Sequence, residues 1–123
     1  MGAVVEPDNL MIITELMPKG SVHDLIHDST RSKSINFAQR MKMAKDAALG
    51  MNWLHLSKPC FIHRDLKSAN LLVDDNYCVK VSDFGISLAK NAGESSKFGS
   101  IGTPVCMAPE LLSNAEYDES VDV

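Results

Sequence analysis

Two short apolar runs open the chain, Ala3-Val4-Val5 and Leu10-Met11-Ile12-Ile13-Thr14, separated by Pro7-Asp8-Asn9. β-favouring runs joined by a turn former predict a hairpin. Pro18 and Gly20 break the pattern, and Ser21 ahead of Val22-His23-Asp24-Leu25-Ile26 is placed to cap a short helix. Residues 28 to 34 are polar throughout and read as a surface loop. From Asn36 to Leu56 the apolar positions Phe37, Met41, Ala44, Ala48 and Met51 recur at steps of four and three, and Ala47 and Leu54 widen the stripe. That period predicts one long amphipathic helix. Asn36 with Gln39 three residues later marks its start as a capping box, and Pro59 lies past its end. Its polar face carries Arg40, Lys42, Lys45 and Asp46.

The second half is built from shorter pieces. Phe61-Ile62, Leu71-Leu72-Val73 and Val79-Lys80-Val81 read as strands, the last two forming a hairpin across Asp74-Asp75-Asn76. From residue 86 to about 107 no periodicity appears, and Gly93, Gly99, Gly102, Pro104 and several serines predict a long irregular segment. A loop of that length in a small domain is usually functional.

Composition narrows the classes. The chain has 123 residues, 45% hydrophobic and 23% charged, within the range of globular proteins rather than disordered ones. Its net charge of −4 offers no basic excess for a nucleic-acid backbone, so nucleic acid is not expected as a partner. Cys60, Cys78 and Cys106 are odd in number and form no CxxC pair, which argues against a disulfide framework or zinc site and favours a reducing, cytoplasmic setting. No apolar run approaches the roughly 20 residues of a membrane-spanning helix, and no basic n-region opens the chain.

The chemistry lies in three motifs in a fixed order: His63-Arg64-Asp65-Leu66-Lys67-Ser68-Ala69-Asn70, then Asp83-Phe84-Gly85, then Ala108-Pro109-Glu110. Together they resemble the motif set of the protein-kinase superfamily. The Leu-Lys-Ser-Ala-Asn wording and Met17-Pro18-Lys19-Gly20-Ser21 are most similar to the tyrosine-kinase-like group of Ser/Thr kinases. The resemblance implies an α+β fold, a fragment of the two-lobed kinase architecture. Residues 1–14 would end the small lobe, 15–21 form the hinge, and 22–123 supply the first half of the mostly helical large lobe.

The residues support a physical reading beside the resemblance. If the two strands 71–73 and 79–81 pair antiparallel, Asn70 comes to lie near Asp83. An amide oxygen and a carboxylate are the hard donors that Mg²⁺ takes together with phosphate oxygens and water. Asp65 sits five residues before Asn70 and can face the same point. By resemblance Asp65 is the catalytic-loop aspartate that accepts or orients the proton of the attacking hydroxyl, positioning mattering more than base strength. Lys67 would neutralise charge on the transferring phosphoryl group. His63 has no second ligand at metal spacing and is assigned a packing role; by resemblance it stacks with Phe84 in an apolar column. Asp122 resembles the aspartate that holds the catalytic-loop backbone, and Glu110 is counted as structural through its motif.

Further roles follow from the resemblance alone. Thr14 takes the gatekeeper position, Glu15 and Met17 offer backbone groups to adenine, and Leu72 forms the floor beneath it. Residues 83 to 110 correspond to the activation segment. Ser95, Ser96, Ser100 and Thr103 are hydroxyls in it that a phosphate could occupy, and Arg64 resembles the arginine that pairs with such a phosphate, placed there by an upstream kinase. Thr103, in Gly-Thr-Pro, more resembles the threonine that touches the catalytic Asp and Lys. The implied partners are ATP, Mg²⁺ and a protein substrate, with Ser/Thr acceptors favoured by Lys67 and the Gly-Thr-Pro, and dual specificity left open.

The seven glycines, at 2, 20, 50, 85, 93, 99 and 102, form no Gly-x-Gly-x-x-Gly, and too few residues precede the hinge to hold the family's phosphate-gripping lysine and its glutamate partner. The expectation is therefore an incomplete domain with little or no transfer activity by itself. A non-catalytic interaction module and a small-molecule phosphotransferase are the alternatives. The motifs also lead one to expect uncovered apolar faces on Ile12, Ile13 and the Met41 stripe.

Overall fold

The two opening runs pair as an antiparallel hairpin, β1 (Gly2–Glu6) with β2 (Asn9–Ile13), Ala3 opposite Ile12 and Val5 opposite Leu10. The structure is a computed structural model and describes residues 2–6, 9–90 and 102–123. Pro7 and Asp8 of the predicted turn lie outside the described residues, as do Ser95, Ser96 and Ser100. Neither face of the hairpin is covered: Ile12 is 82% and Ile13 54% exposed.

Ser21 opens α1 (Val22–His27) with a complete capping box, its Oγ accepting from Asp24 N while Asp24 Oδ2 accepts from Ser21 N. The stretch expected to be all loop contains a short helix, α2 (Arg31–Ser34). The reason is local satisfaction of its backbone. Asp28 Oδ1 accepts from Thr30 N and Arg31 N, and the Arg31 and Arg40 guanidinium groups donate to the carbonyls of Lys19 and Ser32. Polar composition alone does not register that turn.

The long helix α3 (Phe37–Leu56) starts at the predicted Asn36–Gln39 capping box. Its buried face matches the predicted stripe only toward its C-terminal end, where Met51 and Leu54 are buried as expected, while Met43 joins them from outside the stripe. Phe37 and Met41 point to solvent at 77% and 54% exposure, whereas Met43, Met51 and Leu54 are buried. Met43 lies between Lys42 and the Lys45-Asp46 pair, yet it packs with Leu25, Ile35, Val73 and Val79 in the first apolar cluster. Burying such a side chain contributes roughly 1.5–3 kcal/mol. The helix presses on the hairpin made by β4 (Leu71–Val73) and β5 (Val79–Val81), with Val73 opposite Val79. Asp46 Oδ2 accepts from Val79 N, and Gly50 sits so close that a Cβ there would meet Val81 Cγ2 at 2.9 Å.

Strand β3 (Cys60–Ile62) pairs antiparallel with β6 (Leu88–Lys90), a strand inside the segment expected to be irregular. Three residues are too few for alternation to show. Beneath β3 a second cluster gathers Ile62, Leu111, Tyr117 and Val121, with Leu111 on α4 (Pro109–Leu112) and Val121 in a 3₁₀ turn, Glu119–Asp122. The described residues thus form three two-stranded sheets, two of which meet the long helix through β5 and β3, a mixed α+β arrangement. The loop 63–70 leaves the second cluster at Ile62 and enters the first at Val73, which anchors it at both ends.

Candidate active site

Loop 63–70 is held from below by one carboxylate. Asp122, 5% exposed, accepts His63 N on Oδ2 and Arg64 N on Oδ1, each at 2.7 Å, and its Oδ2 also meets His55 Nε2 at 2.9 Å. The His63 ring is fully buried and its two nitrogens are both used: Nε2 donates to the Ser82 carbonyl at 2.9 Å, and Nδ1 accepts from Asp65 N at 3.3 Å. Those partners require the neutral Nε2–H tautomer. Phe84 lies against this ring, centroids 5.4 Å apart and tilted by 55°.

Asp65 is the hub. Its Oδ2 accepts from Lys67 Nζ at 2.7 Å and Asn70 Nδ2 at 3.0 Å, while Oδ1 accepts from Thr103 Oγ1 at 2.6 Å and Thr103 N at 3.0 Å. Lys67, on extended backbone, closes the ring by donating to Thr103 Oγ1 at 2.7 Å. Burial pushes the Asp65 carboxyl up, but the bonds from Lys67, Thr103 and Asn70 outweigh it and hold the group down at about 2. The carboxylate is therefore a fixed acceptor, strong in position and weak as a base.

Asn70 commits Nδ2 to the Asp65 carboxylate and carbonyl, which leaves Oδ1 as its remaining acceptor. The Asn70 carbonyl accepts from Ser82 N and Oγ, tying the end of the loop to the residue before Asp83. Asp83 is exposed, and among the described residues its carboxylate accepts no hydrogen bond. Both Asp83 (φ 64) and Arg64 (φ 67) hold left-handed backbone, a conformation that non-glycine residues adopt at a cost and that clusters at functional sites. An amide oxygen and an unpaired carboxylate, kept near one another by the β4–β5 hairpin, suit a Mg²⁺ ion.

A neighbouring edge is formed by residues 14–21. Lys19 N donates to Val73 O, Val73 N donates to Gly20 O, and Ser21 bridges to Leu72, so this segment runs along β4. Glu15 reaches β5, its carboxylate accepting from Lys80 Nζ at 2.6 and 2.7 Å, and Lys80 is the cross-strand partner of Leu72. The Met17 carbonyl accepts from Gly20 N in a turn.

All 123 residues match the family model for protein tyrosine and serine/threonine kinases. The chain belongs to the protein kinase family. It is 50% identical, over its full length, to the dual specificity protein kinase shkC of Dictyostelium discoideum and to the probable serine/threonine-protein kinase SIS8 of Arabidopsis thaliana. It is 47% identical over its full length to the serine/threonine-protein kinase CTR1 of Arabidopsis thaliana. The chain spans 24%, 12% and 15% of those three proteins.

Within this kinase segment, Asp65, Lys67, Asn70 and Thr103 meet directly, His63 packs on Phe84, and Asp122 grips the loop backbone. Thr14, exposed, and Glu110, in the first turn of α4, join no other predicted site residue by a hydrogen bond among the described residues. Arg64 points its guanidinium at the Ile86 carbonyl, through Nε at 2.7 Å and through Nη2, and at the Tyr117 hydroxyl through Nη1 at 3.1 Å. Tyr117, His55 and Ser82 also take part in the site, although the sequence motifs do not point to them. Each lies outside the motifs, and its part shows only through a partner distant in the chain: Arg64 for Tyr117, Asp122 for His55, His63 for the Ser82 carbonyl.

Proposed function

We propose that these residues form the catalytic core of a protein kinase that transfers the γ-phosphoryl group of ATP to Ser/Thr hydroxyls of proteins. The observation that carries the reading is the closed Asp65–Lys67–Thr103 ring with Asn70 bonded to its edge. Asp65 Oδ1 and Oδ2 are fixed acceptors facing the point where an acceptor hydroxyl would come, so their role is to orient that hydroxyl. With a carboxyl held at about 2, alignment rather than base strength is its contribution. Lys67 brings an ammonium charge to the same point, where it would offset negative charge on the transferring group. Asn70 Oδ1 and the Asp83 carboxylate would hold Mg²⁺, which when bound supplies charge neutralisation to the phosphate oxygens. The edge formed by Glu15 and Met17 above Leu72 would take adenine, with Thr14 as gatekeeper.

The relatives carry both serine/threonine and dual specificity names, so Ser/Thr acceptors are assigned as the main class and tyrosine as a second. Arg64 is the residue on which a phosphate in segment 83–110, added by an upstream kinase, would act. The three cysteines are free, which fits a reducing, cytoplasmic setting. Among the described residues no helix is long and apolar enough to cross a membrane.

The test is phosphoryl transfer from labelled ATP to a protein substrate by a kinase domain that contains these 123 residues. Asp65→Asn should lower the rate by roughly 10²–10⁴ with the fold retained. Wild-type turnover in that variant would remove the assigned role. Transfer to a small-molecule acceptor with none to protein would favour the phosphotransferase alternative.

A further inference from the structure

Outside the kinase site, the outer side of α1 carries two histidines one turn apart. The rings of His23 and His27 stack with centroids 4.0 Å apart and planes 28° from parallel. Both residues are exposed. His27 Nδ1 lies 3.0 Å from the His23 carbonyl, which can only accept, so Nδ1 carries the proton and Nε2 is left with a free lone pair. A ring whose N–H donates to a backbone carbonyl is the usual arrangement of a metal-bound imidazole, because that bond fixes both tautomer and orientation. The His23 ring makes no hydrogen bond among the described residues, so either of its nitrogens is available.

Spacing agrees with this. Two Zn–N bonds of about 2.05 Å at a tetrahedral angle set their nitrogens roughly 3.3 Å apart. Side chains four residues apart on one helix face can bring two ring nitrogens to that distance, but not while stacked: the His23 ring, which holds no bond among the described residues, has to turn out of the stack so that its lone pair and that of His27 Nε2 converge on one ion. The nearby carboxylates are each tied through one oxygen, Asp24 Oδ2 to Ser21 N and Oγ and Asp28 Oδ1 to Thr30 N and Arg31 N, which holds them at the helix cap and the following turn. We infer that His23 and His27 form a two-imidazole site for a divalent late transition ion such as Zn²⁺, water filling the other positions. With two protein ligands it binds more weakly than structural zinc sites with four. Imidazole pairs do not hold Mg²⁺, a hard ion that takes oxygen, so this site is chemically separate from Asn70 and Asp83. A bound ion would staple one face of a six-residue helix whose cap, Ser21, bridges to Leu72.

The test titrates Zn²⁺ alone, in excess Mg²⁺, into the 123-residue chain labelled with ¹⁵N-histidine. Zn²⁺ should shift His27 Nε2 and one His23 ring nitrogen together, leaving His63 unmoved. By calorimetry, His23→Gln and His27→Gln should each weaken binding by roughly tenfold or more. Both side chains are exposed, and circular dichroism would verify that the variants keep the fold. The inference is overturned if neither or only one of the pair shifts, or if either variant binds Zn²⁺ with a loss below that.

Discussion

A Cβ placed on Gly102 would lie 2.6 Å from the carbonyl oxygen of Arg64, so the two backbones touch with no room for a side chain. Gly102 also adopts φ +131, a conformation L residues rarely reach. Thr103 hangs on the next residue, and its N–H and Oγ1 both bind Asp65. Gly102→Ala should therefore displace Thr103 rather than merely strain a loop. In a kinase domain containing this segment, phosphoryl transfer should drop by at least about tenfold, the equivalent of roughly 1.4 kcal/mol. Hydrogen exchange at Thr103 N should accelerate alongside it. Full activity with normal Thr103 protection would contradict the proposed coupling.

The Asp65 carboxyl sits below its ordinary 3.8, at about 2, despite burial that opposes this. A group whose folded pKa is depressed adds stability that is fully present above the unfolded value and disappears as pH falls through the folded one. The Asp65 contribution should thus be intact near neutrality and be lost between pH 3.8 and about 2. A carboxyl-carbon NMR titration should place the midpoint near the lower figure, and Lys67→Met, which removes one of the lowering bonds, should move it up. A wild-type midpoint at or above the ordinary value would contradict the ring geometry.

Asp122 is the acceptor for two backbone N–H groups of loop 63–70, those of His63 and Arg64. Asp122→Ala strands both, at roughly 1–3 kcal/mol each. Asp122→Asn keeps one acceptor oxygen and should lose about half as much. Urea denaturation of the two variants should rank them in that order. Equal stabilities would mean that water or His55 replaces the carboxylate.

How far the fold is legible depends on whether the signal is local. The start of α3 shows in Asn36 and Gln39, two residues that satisfy each other's backbone. The β4–β5 hairpin follows from the turn formers Asp74-Asp75-Asn76 between the β-favouring Leu71-Leu72-Val73 and Val79-Lys80-Val81. Strand β6 does not, because its partner β3 lies far back in the chain, Phe61 opposite Ala89, and β6 itself sits inside the segment without periodicity. Met43 falls outside the predicted stripe because periodicity sets the spacing of a helical stripe, whereas its rotation is decided by what packs against it, here Leu25 and Val73. The same division runs through the site. Asp65, Lys67, Asn70 and Asp83 sit in contiguous motifs and can be read directly. Tyr117 and His55 act through partners 53 and 67 residues away, Arg64 and Asp122, and nothing beside them in sequence marks that role.

Asp83→Asn separates charge from shape at the proposed metal site. Residue 83 has φ 64, and Asn enters the left-handed region as Asp does, so the backbone need not change. The side chain is exposed and accepts no bond among the described residues, so the swap neither buries nor strands a group. Stability should stay within about 0.5 kcal/mol of wild type. What changes is one negative charge and its affinity for a hard cation. In a kinase domain containing this segment, Mg²⁺-dependent nucleotide binding should weaken and transfer should drop on the order of 10²-fold or more. Asp83→Ala is the poorer probe, since left-handed backbone costs alanine about 1–2 kcal/mol and would mix strain with lost charge. Asn70→Ala should weaken the same Mg²⁺-dependent step while also freeing Asp65 from its Nδ2 bonds, so it should raise the Asp65 midpoint where Asp83→Asn leaves it unmoved. If Asp83→Asn binds Mg²⁺ and nucleotide like wild type, the carboxylate is not a ligand, and the left-handed turn at residue 83 needs another explanation.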